Sequence, residues 1–402
     1  MHNAHCYCEA FSLTAGMSAG IRDFRVFVLR RAGREMRATG RLQTLPGGAR
    51  SSLGARVDAL LADCEPDDPA LVVGALPFSA DEPEVLYQPA HVAHGPFEPA
   101  TTGTLTPPSI AQERPSASAY ADMVRAALAS IATPGAGELR KVVLARQIVL
   151  QLAQGFDPLA LLDALSTDPQ IAAYCLELDA DPAGQQHLFM GATPELLVSR
   201  KGDSVFSEPL AGSIPRGRDP QQDEERAAAL LASEKDRREH RITVEYILDL
   251  LAPHCAQLDT PGGMGLRSTA SMWHLGTKIE GRLRTGDGPS ALELAALLHP
   301  TPAVGGYPLD KALATIQRLE PQSRGLYAGT IGHVDRNGDG EWYVAIRCAQ
   351  IEGNRMTLHA GAGIVEGSIP EEEVRETAAK FRAMLRAVGI ADTPFHKASV
   401  HA

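Results

Sequence analysis

No stretch of about 18 consecutive apolar residues occurs in this chain, so none of it reads as a membrane-spanning helix. Dense clusters of lysine and arginine are missing as well. With 38 basic against 49 acidic residues the net charge is -11, which argues against a nucleic-acid partner. Anionic small molecules stay open as substrates, because local residues set the potential of a site. Cysteine is sparse: six scattered thiols in 402 residues read as reduced and cytoplasmic, not as a disulfide framework. The opening MHNAHCYCEAFSLTAG has neither the basic start nor the apolar core of a signal peptide. Its His2, His5, Cys6 and Cys8 follow no zinc spacing and read as a frayed terminus. A Walker A phosphate loop, a Gly-x-Ser-x-Gly elbow and internal repeats are all absent, and nucleotide binding and serine hydrolysis lose their residues with them.

What remains is ordinary globular composition, 44% hydrophobic and 22% charged. ALVVGALPFS reads as a strand in an otherwise weakly patterned first hundred residues, and the Pro-, Ser- and Thr-rich 100–118 as a surface connection. YADMVRAALASI and DPLALLDALS read as helices, and RKVVLARQIVLQL as a strand buried on both faces. IAAYCLEL, HLFMGATPELLVSR, SVFSEPLAGSI and MWHLGTKIEGRL read as further strands. A single long helix is expected over 221–252, and shorter ones near 290–298 and 309–318. GLYAGTIGHVD, EWYVAIRCAQIEG and RMTLHAGAGIV close the sheet. DRNGDG, which begins like a calcium loop, ends with Ile346 in place of the bidentate glutamate and reads as a hairpin turn. GAGIVEG is one residue too long for the dinucleotide fingerprint. Repeated short turns make antiparallel hairpins. The expected class is therefore α+β: one large domain of two mostly antiparallel sheets packed as a sandwich, with helices outside.

Charged residues mark the candidate site. Ser368 and Glu371 around Pro370 have the spacing of a capping box, so a helix should begin near 369. On it Glu373, Glu376 and Lys380 fall within about 60° of one another, apart from the apolar stripe of Val374, Ala378, Phe381 and Leu385. Asp236 and Glu239 share a face of the earlier long helix. Either helix alone would read as a solvated ion-pair face. Two carboxylate-bearing helices facing each other would instead make an oxygen-ligand site suited to Mg²⁺. Lys141, Glu195 and Arg347 interrupt apolar strands, and a buried charge is costly unless paired or used.

KVVLAR, GATPELLV, PLAGSIPRG, SEKDRREH, LHPTPAVGG, EWYVAIRCA, AGAGIV and EEEVRETAAK, in that order over about 120–385, resemble the chorismate-utilising enzymes, and most nearly the isochorismate synthases of the siderophore type. The resemblance implies one fold with a weakly matched N-terminal part over 1–115, a chorismate-binding catalytic region over 116–388 and a flexible tail over 389–402. It implies that Lys141 is the general base activating water for attack at C2 of chorismate, and Glu195 the general acid protonating the C4 hydroxyl that leaves. Glu239 and Glu376 would hold Mg²⁺, backed by Asp236 and Glu373. Gly212 and Ser213 would meet the ring carboxylate, and Arg347, Tyr327, Gly361 and Lys380 the enolpyruvyl carboxylate. His274 would line the ring pocket. Ala303 stands where salicylate and anthranilate enzymes tend to carry threonine, which favours water addition without loss of pyruvate. Salicylate formation is the alternative reaction, and menaquinone supply the alternative use of the product. A cytoplasmic monomer acting on a small molecule is expected. The first 70 residues, His359 and the tail ADTPFHKASVHA depart from the pattern.

Overall fold

Alternation along the strands sorts the apolar side chains into two cores. In Val26–Arg31, Phe27 and Leu29 belong to one buried cluster while Val26 and Val28 belong to the other. Ala172–Glu177 divides in the same way, Tyr174 and Leu176 against Ala173 and Cys175. A sheet buried on both faces has to be covered twice. The first core takes in strands Leu71–Leu76 and Gly340–Val344 and helices Leu53–Ala62, Ala117–Ile131 and Ala291–Leu298. The second lies under helices Pro158–Leu165 and Pro370–Ala387, which contribute Leu161, Leu162, Phe381 and Leu385.

The computed structural model describes residues 25–99, 105–133, 139–179, 185–284 and 288–390. The His2, His5, Cys6 and Cys8 group and the tail from 391 onward lie outside them. Among the described residues, seventeen strands join in one hydrogen-bonded ladder and three form a second sheet, Leu210–Pro215, Met264–Ser268 and Met272–Thr277. Every pairing is antiparallel. The class is α+β, with helices packed outside large antiparallel sheets. No described helix is long and apolar enough to cross a membrane.

Several segments expected to be continuous are broken. HLFMGATPELLVSR forms two strands, His187–Thr193 and Leu196–Lys201, parted at Pro194 and Glu195. Pro209 parts Ser204–Glu208 from Leu210–Pro215, and the second piece enters the small sheet. Proline has no N–H for the ladder, so strands end at it. EWYVAIRCAQIEG divides around Arg347, whose φ of 50° is left-handed, and MWHLGTKIEGRL divides at Lys278. The single helix over 221–252 is two, Pro220–Ala232 and Glu234–Leu251, meeting at an extended Ser233. Ser233 caps the second by accepting from the Asp236 amide at 3.3 Å. The capping box at Ser368 is not formed: Ile369 precedes the helix without a side-chain cap, and the Ser368 hydroxyl accepts from the Val365 amide instead. The connection over 100–118 contains the strand Ser109–Arg114. The weakly patterned N-terminal part also holds three strands and a helix that went unread, Val26–Arg31, Arg34–Thr44, Val85–Pro96 and Leu53–Ala62.

The strand Lys141–Gln151 is central, paired along its length with Arg355–Val365 and on its other edge with Ser109–Arg114. A buried Arg324–Glu320 pair, 2.5 Å apart, holds it. Arg324 donates to the carbonyls of Val143 and Val304 at 2.7 and 2.8 Å, while Glu320 accepts from the Ala145 amide at 2.8 Å. The pair thus ties the central strand to the loop carrying Ala303. Arg324→Met leaves the Glu320 carboxylate buried and unpaired, and is expected to lower the unfolding free energy by about 3–5 kcal/mol in urea denaturation. A loss below about 1 kcal/mol, the scale of an exposed pair, would show that the pair does not hold this strand.

Candidate active site

Lys141, Val143, Ala145 and Gln147 alternate onto one face of the central strand, and register sets Val365, Gly363, Gly361 and His359 beside them. Glycine at 361 and 363 makes that face a recess. A Cβ at Gly363 would lie 2.5 Å from Glu239 Oε1 and 3.2 Å from Lys141 Cε. At Gly361 it would lie 2.9 Å from the Tyr327 hydroxyl. Above the recess is a cavity of about 780 Å³ including its open mouth.

Most of the residues singled out in the sequence converge on this cavity. Glu195, Gly212, Ser213, His274, Ala303 and Tyr327 line it, as do Arg347, Gly361, Glu239, Glu376 and Lys380. Lys141, Asp236 and Glu373 stand behind its wall. Lys141 is fully buried, and its Nζ lies 2.8 Å from Glu239 Oε1 as a charge contact without aligned hydrogen-bond geometry. Asp236 lies under Gly212, whose φ of 79° and missing Cβ admit the approach: a Cβ there would be 2.9 Å from that of Asp236. Glu373 is 1% exposed and paired with Lys235 at 2.8 Å.

The interruptions seen in the fold deliver these groups. Glu195 follows the Pro194 break and is 3% exposed. Burial pushes its carboxyl up from 4.5 to about 7, against the pull of a Leu210 backbone hydrogen bond and the cations Lys141, Arg347 and Lys380. Arg347, in its left-handed turn, donates to His274 Nε2 at 2.7 Å. Burial brings Arg347 down to about 10, so it stays charged. Burial, Arg347 and Lys380 drive His274 well below its ordinary value, so it is a neutral acceptor. Lys380 donates to the Gly361 carbonyl at 2.8 Å and pairs with Glu376 at 2.7 Å. An ammonium has three donors, so one is left for the cavity.

The acidic groups suit a hard cation in their chemistry. Burial raises Asp236, and Glu239 and Glu376 raise it further; burial and Glu376 raise Glu373 against Lys235. Glu239 is held low, because the lysines around it, Lys141 foremost, outweigh burial. Glu373 Oε2 is buried with no partner. Carboxylates that repel one another and a buried oxygen without a donor both gain from a cation. Among the described residues no three ligating side chains already converge. Magnesium asks for less, one or two carboxylates with waters completing the shell.

Sequence reasoning passed over Lys235, which pairs with Glu373, and Gln147, and it noted His359 only as a departure from the family pattern, without placing it in the cavity it lines. Lys235 lies one turn before Glu239, a spacing legible in principle. The contact between Gln147 and His359 depends on strand register, and no local pattern carries it.

A family model described as "Chorismate binding enzyme" matches residues 87–389. Isochorismate synthase DhbC of Bacillus subtilis (strain 168) is 45% identical over 276 residues, 67% of this chain and 68% of that protein. Isochorismate synthase EntC of Escherichia coli (strain K12) is 37% identical over 327 residues, 80% of this chain and 81% of the relative. The crystal structure of DhbC from Bacillus anthracis matches with a TM-score of 0.85 at 37% identity, over 91% of this chain and 97% of that one.

The raised Glu195 makes stability depend on pH. Below pH 4.5 the group is protonated folded and unfolded, and its contribution is complete. Between 4.5 and about 7 only the unfolded chain ionises, so stability falls until the folded group also ionises. The expected loss is on the order of 3 kcal/mol across that window. Glu195→Gln, permanently neutral, should remove this part of the pH dependence and be more stable than the parent at pH 8. Parallel pH profiles in urea denaturation for the two proteins would contradict the burial argument.

Proposed function

The chain belongs to the chorismate-binding enzymes, and on that premise we propose that it converts chorismate to isochorismate by adding water at C2 with loss of the C4 hydroxyl. The observation that carries this reading is the cavity's combination of a carboxyl held protonated near neutrality, Glu195, with a fully buried lysine close enough to influence it, Lys141.

Lys141 takes a proton from water as the oxygen bonds to C2. The ring double bonds shift, the C4–O bond breaks, and Glu195 donates the proton that lets the hydroxyl leave as water. One water enters, one leaves, and the mass is unchanged. A base and an acid at the same pH need environments that separate their proton affinities. Burial supplies this for Glu195.

Substrate carboxylates find positive charge in an acidic protein because Arg347 and Lys380 line the cavity. The planar Arg347 guanidinium, one nitrogen held by neutral His274, offers the fork that suits a carboxylate. Tyr327 and Gly361 meet the same enolpyruvyl carboxylate, and Gly212 and Ser213 meet the carboxylate on the ring. Glu239 and Glu376 would hold Mg²⁺, with Asp236 and Glu373 holding its waters. The ion's charge would neutralise the ring carboxylate. Ala303 presents a methyl group to the cavity, and the reaction stops at isochorismate without loss of pyruvate. The enzyme is read as a cytoplasmic monomer. Siderophore synthesis through 2,3-dihydroxybenzoate or salicylate is the destination inferred for the product, and the 2,3-dihydroxybenzoate-specific name of the Bacillus anthracis neighbour supports the first.

Chorismate supplied with Mg²⁺ and no ammonia should give a product of unchanged mass, resolved by chromatography with mass detection. Salicylate with pyruvate, or turnover only with ammonia, would refute the reading. Lys141→Ala and Glu195→Gln should each lower kcat by about 10²–10⁴-fold while the protein stays folded; near-normal turnover in either removes that residue from the mechanism. Glu376→Gln should raise the Mg²⁺ concentration needed for half-maximal rate. An unchanged metal requirement would take Glu376 out of the ligand set.

A further inference from the structure

Gln147, His359 and Tyr327 form a run of contacts, the last two lining the cavity, that the acid–base chemistry does not use. Gln147 and His359 are cross-strand partners, and the Gln147 side-chain amide donates to His359 Nε2 at 3.0 Å. With Nε2 accepting, the proton of the neutral imidazole is assigned to Nδ1. Nδ1 is buried with no partner. Burial and the Arg324 cation hold the ring neutral, down to about 3. Its flat face lies on the Tyr327 ring, with centroids 4.9 Å apart and planes 13° from parallel.

Tyr327 is the group that this stack controls. Its ring is 5% exposed and lines the cavity, and its hydroxyl lies 2.9 Å from where Gly361 would carry a Cβ. Among the described residues that hydroxyl has no hydrogen-bond partner, so no hydrogen bond within the protein fixes its direction. A phenol free to tilt about its ring would aim its hydroxyl over a range of positions, whereas a second ring against its face removes that freedom. An imidazole kept for its nitrogens would have both of them engaged. Here one nitrogen anchors the ring to Gln147 and the other is idle, so the working surface is the face.

We propose that His359 is a positioning residue: anchored by Gln147, it stacks on Tyr327 and fixes the hydroxyl of that tyrosine above Gly361, where it receives a substrate carboxylate. This rests on the reading that chorismate is the substrate and that Tyr327 meets its carboxylate. His359 itself touches no reacting atom. Its effect therefore belongs to binding, in KM, and not to the chemical step.

The test is a set of variants of the full chain, assayed with chorismate and Mg²⁺. His359→Ala is expected to raise KM about tenfold with kcat changed less than about twofold. His359→Phe, which keeps a flat face and has no nitrogen, should bring KM back to within about threefold of the parent. Tyr327→Phe should raise KM about as far as His359→Ala, and the double variant should rise no further, because both changes remove one interaction. Should His359→Ala fail to fold, His359→Leu, which fills the space without a flat face, must show the same rise. An unchanged KM in His359→Ala, a His359→Phe no better than the alanine variant, or additive effects in the double variant would each overturn the proposal. The parent enzyme run alongside separates the two claims, since failure of the parent to turn over chorismate tells against the reaction and not against the stack. Chorismate affinity by calorimetry makes the same comparison of variants without turnover.

Discussion

A lysine with no exposed surface can stand in a sheet only if a carboxylate reaches it, and Glu239 reaches Lys141 across a strand position that has no Cβ. Gly363 is that position. Any side chain there would meet the Glu239 carboxylate and the end of Lys141 together, so glycine, acidic helix and lysine form one constraint. The constraint also fixes where the helix may begin. A helix running unbroken from 220 would continue along the direction of Pro220–Ala232. The turn at Ser233 lets Glu234–Leu251 start afresh, with Asp236 against Gly212 and Glu239 against Gly363. Two glycines on different sheets thus receive two carboxylates one turn apart on the same helix.

The central strand carries this arrangement because it is held at its backbone as well as its side chains. Arg324 and Glu320 bind the Val143 carbonyl and the Ala145 amide, one residue apart on either side of Leu144, and Tyr120 donates to the Leu144 carbonyl between them. Hydrogen bonds inside a sheet are normally spent on neighbouring strands. Here three successive residues of the strand are also bound by side chains from elsewhere, and Arg324 extends the tie to the Val304 carbonyl beside Ala303. The strand that bears Lys141 and the loop that bears Ala303 cannot shift independently.

The fold class was legible because short turns and alternating strands are local signals. The helices at 117–131, 158–165, 291–298 and 309–319 declared themselves by their periodicity and starts. Most of the charged site was legible as well: Lys141, Glu195 and Arg347 are conspicuous in apolar strands, and Asp236, Glu239, Glu373 and Glu376 are spaced along helix faces. What escaped was the set of interruptions. HLFMGATPELLVSR has the composition of one strand; its proline is a local sign of a break, but only the ladder shows that the break frees Glu195 to point into a cavity. The left-handed turn at Arg347 is equally silent, because arginine has no preference for it and the conformation is imposed by packing. The N-terminal strands escaped for the opposite reason. Arg34–Thr44 is half-exposed and rich in polar residues, Val85–Pro96 is half-exposed and interrupted by Pro89, Gly95 and Pro96, and they are strands through pairing with each other.

The charges of the site are divided by burial more than by count. The acidic groups face lysines across the wall: Lys141 with Glu239, Lys235 with Glu373, Lys380 with Glu376. These pairings leave the cavity neither strongly acidic nor strongly basic, although the chain as a whole carries -11. Against that balanced background Asp236 and Glu195 have no lysine or arginine within ion-pair distance among the described residues; burial raises both, and it carries Glu195 to about 7. Glu195 lies in the break between two strands, where its carbonyl still accepts from the Val344 amide at 3.1 Å while its side chain faces the cavity, and the cations that influence it do so from a distance at which burial outweighs them. A site built this way spends its lysines on fixing carboxylates and reserves one protonated acid for transfer. That division follows from which strands are broken, and the breaks are features of the fold itself.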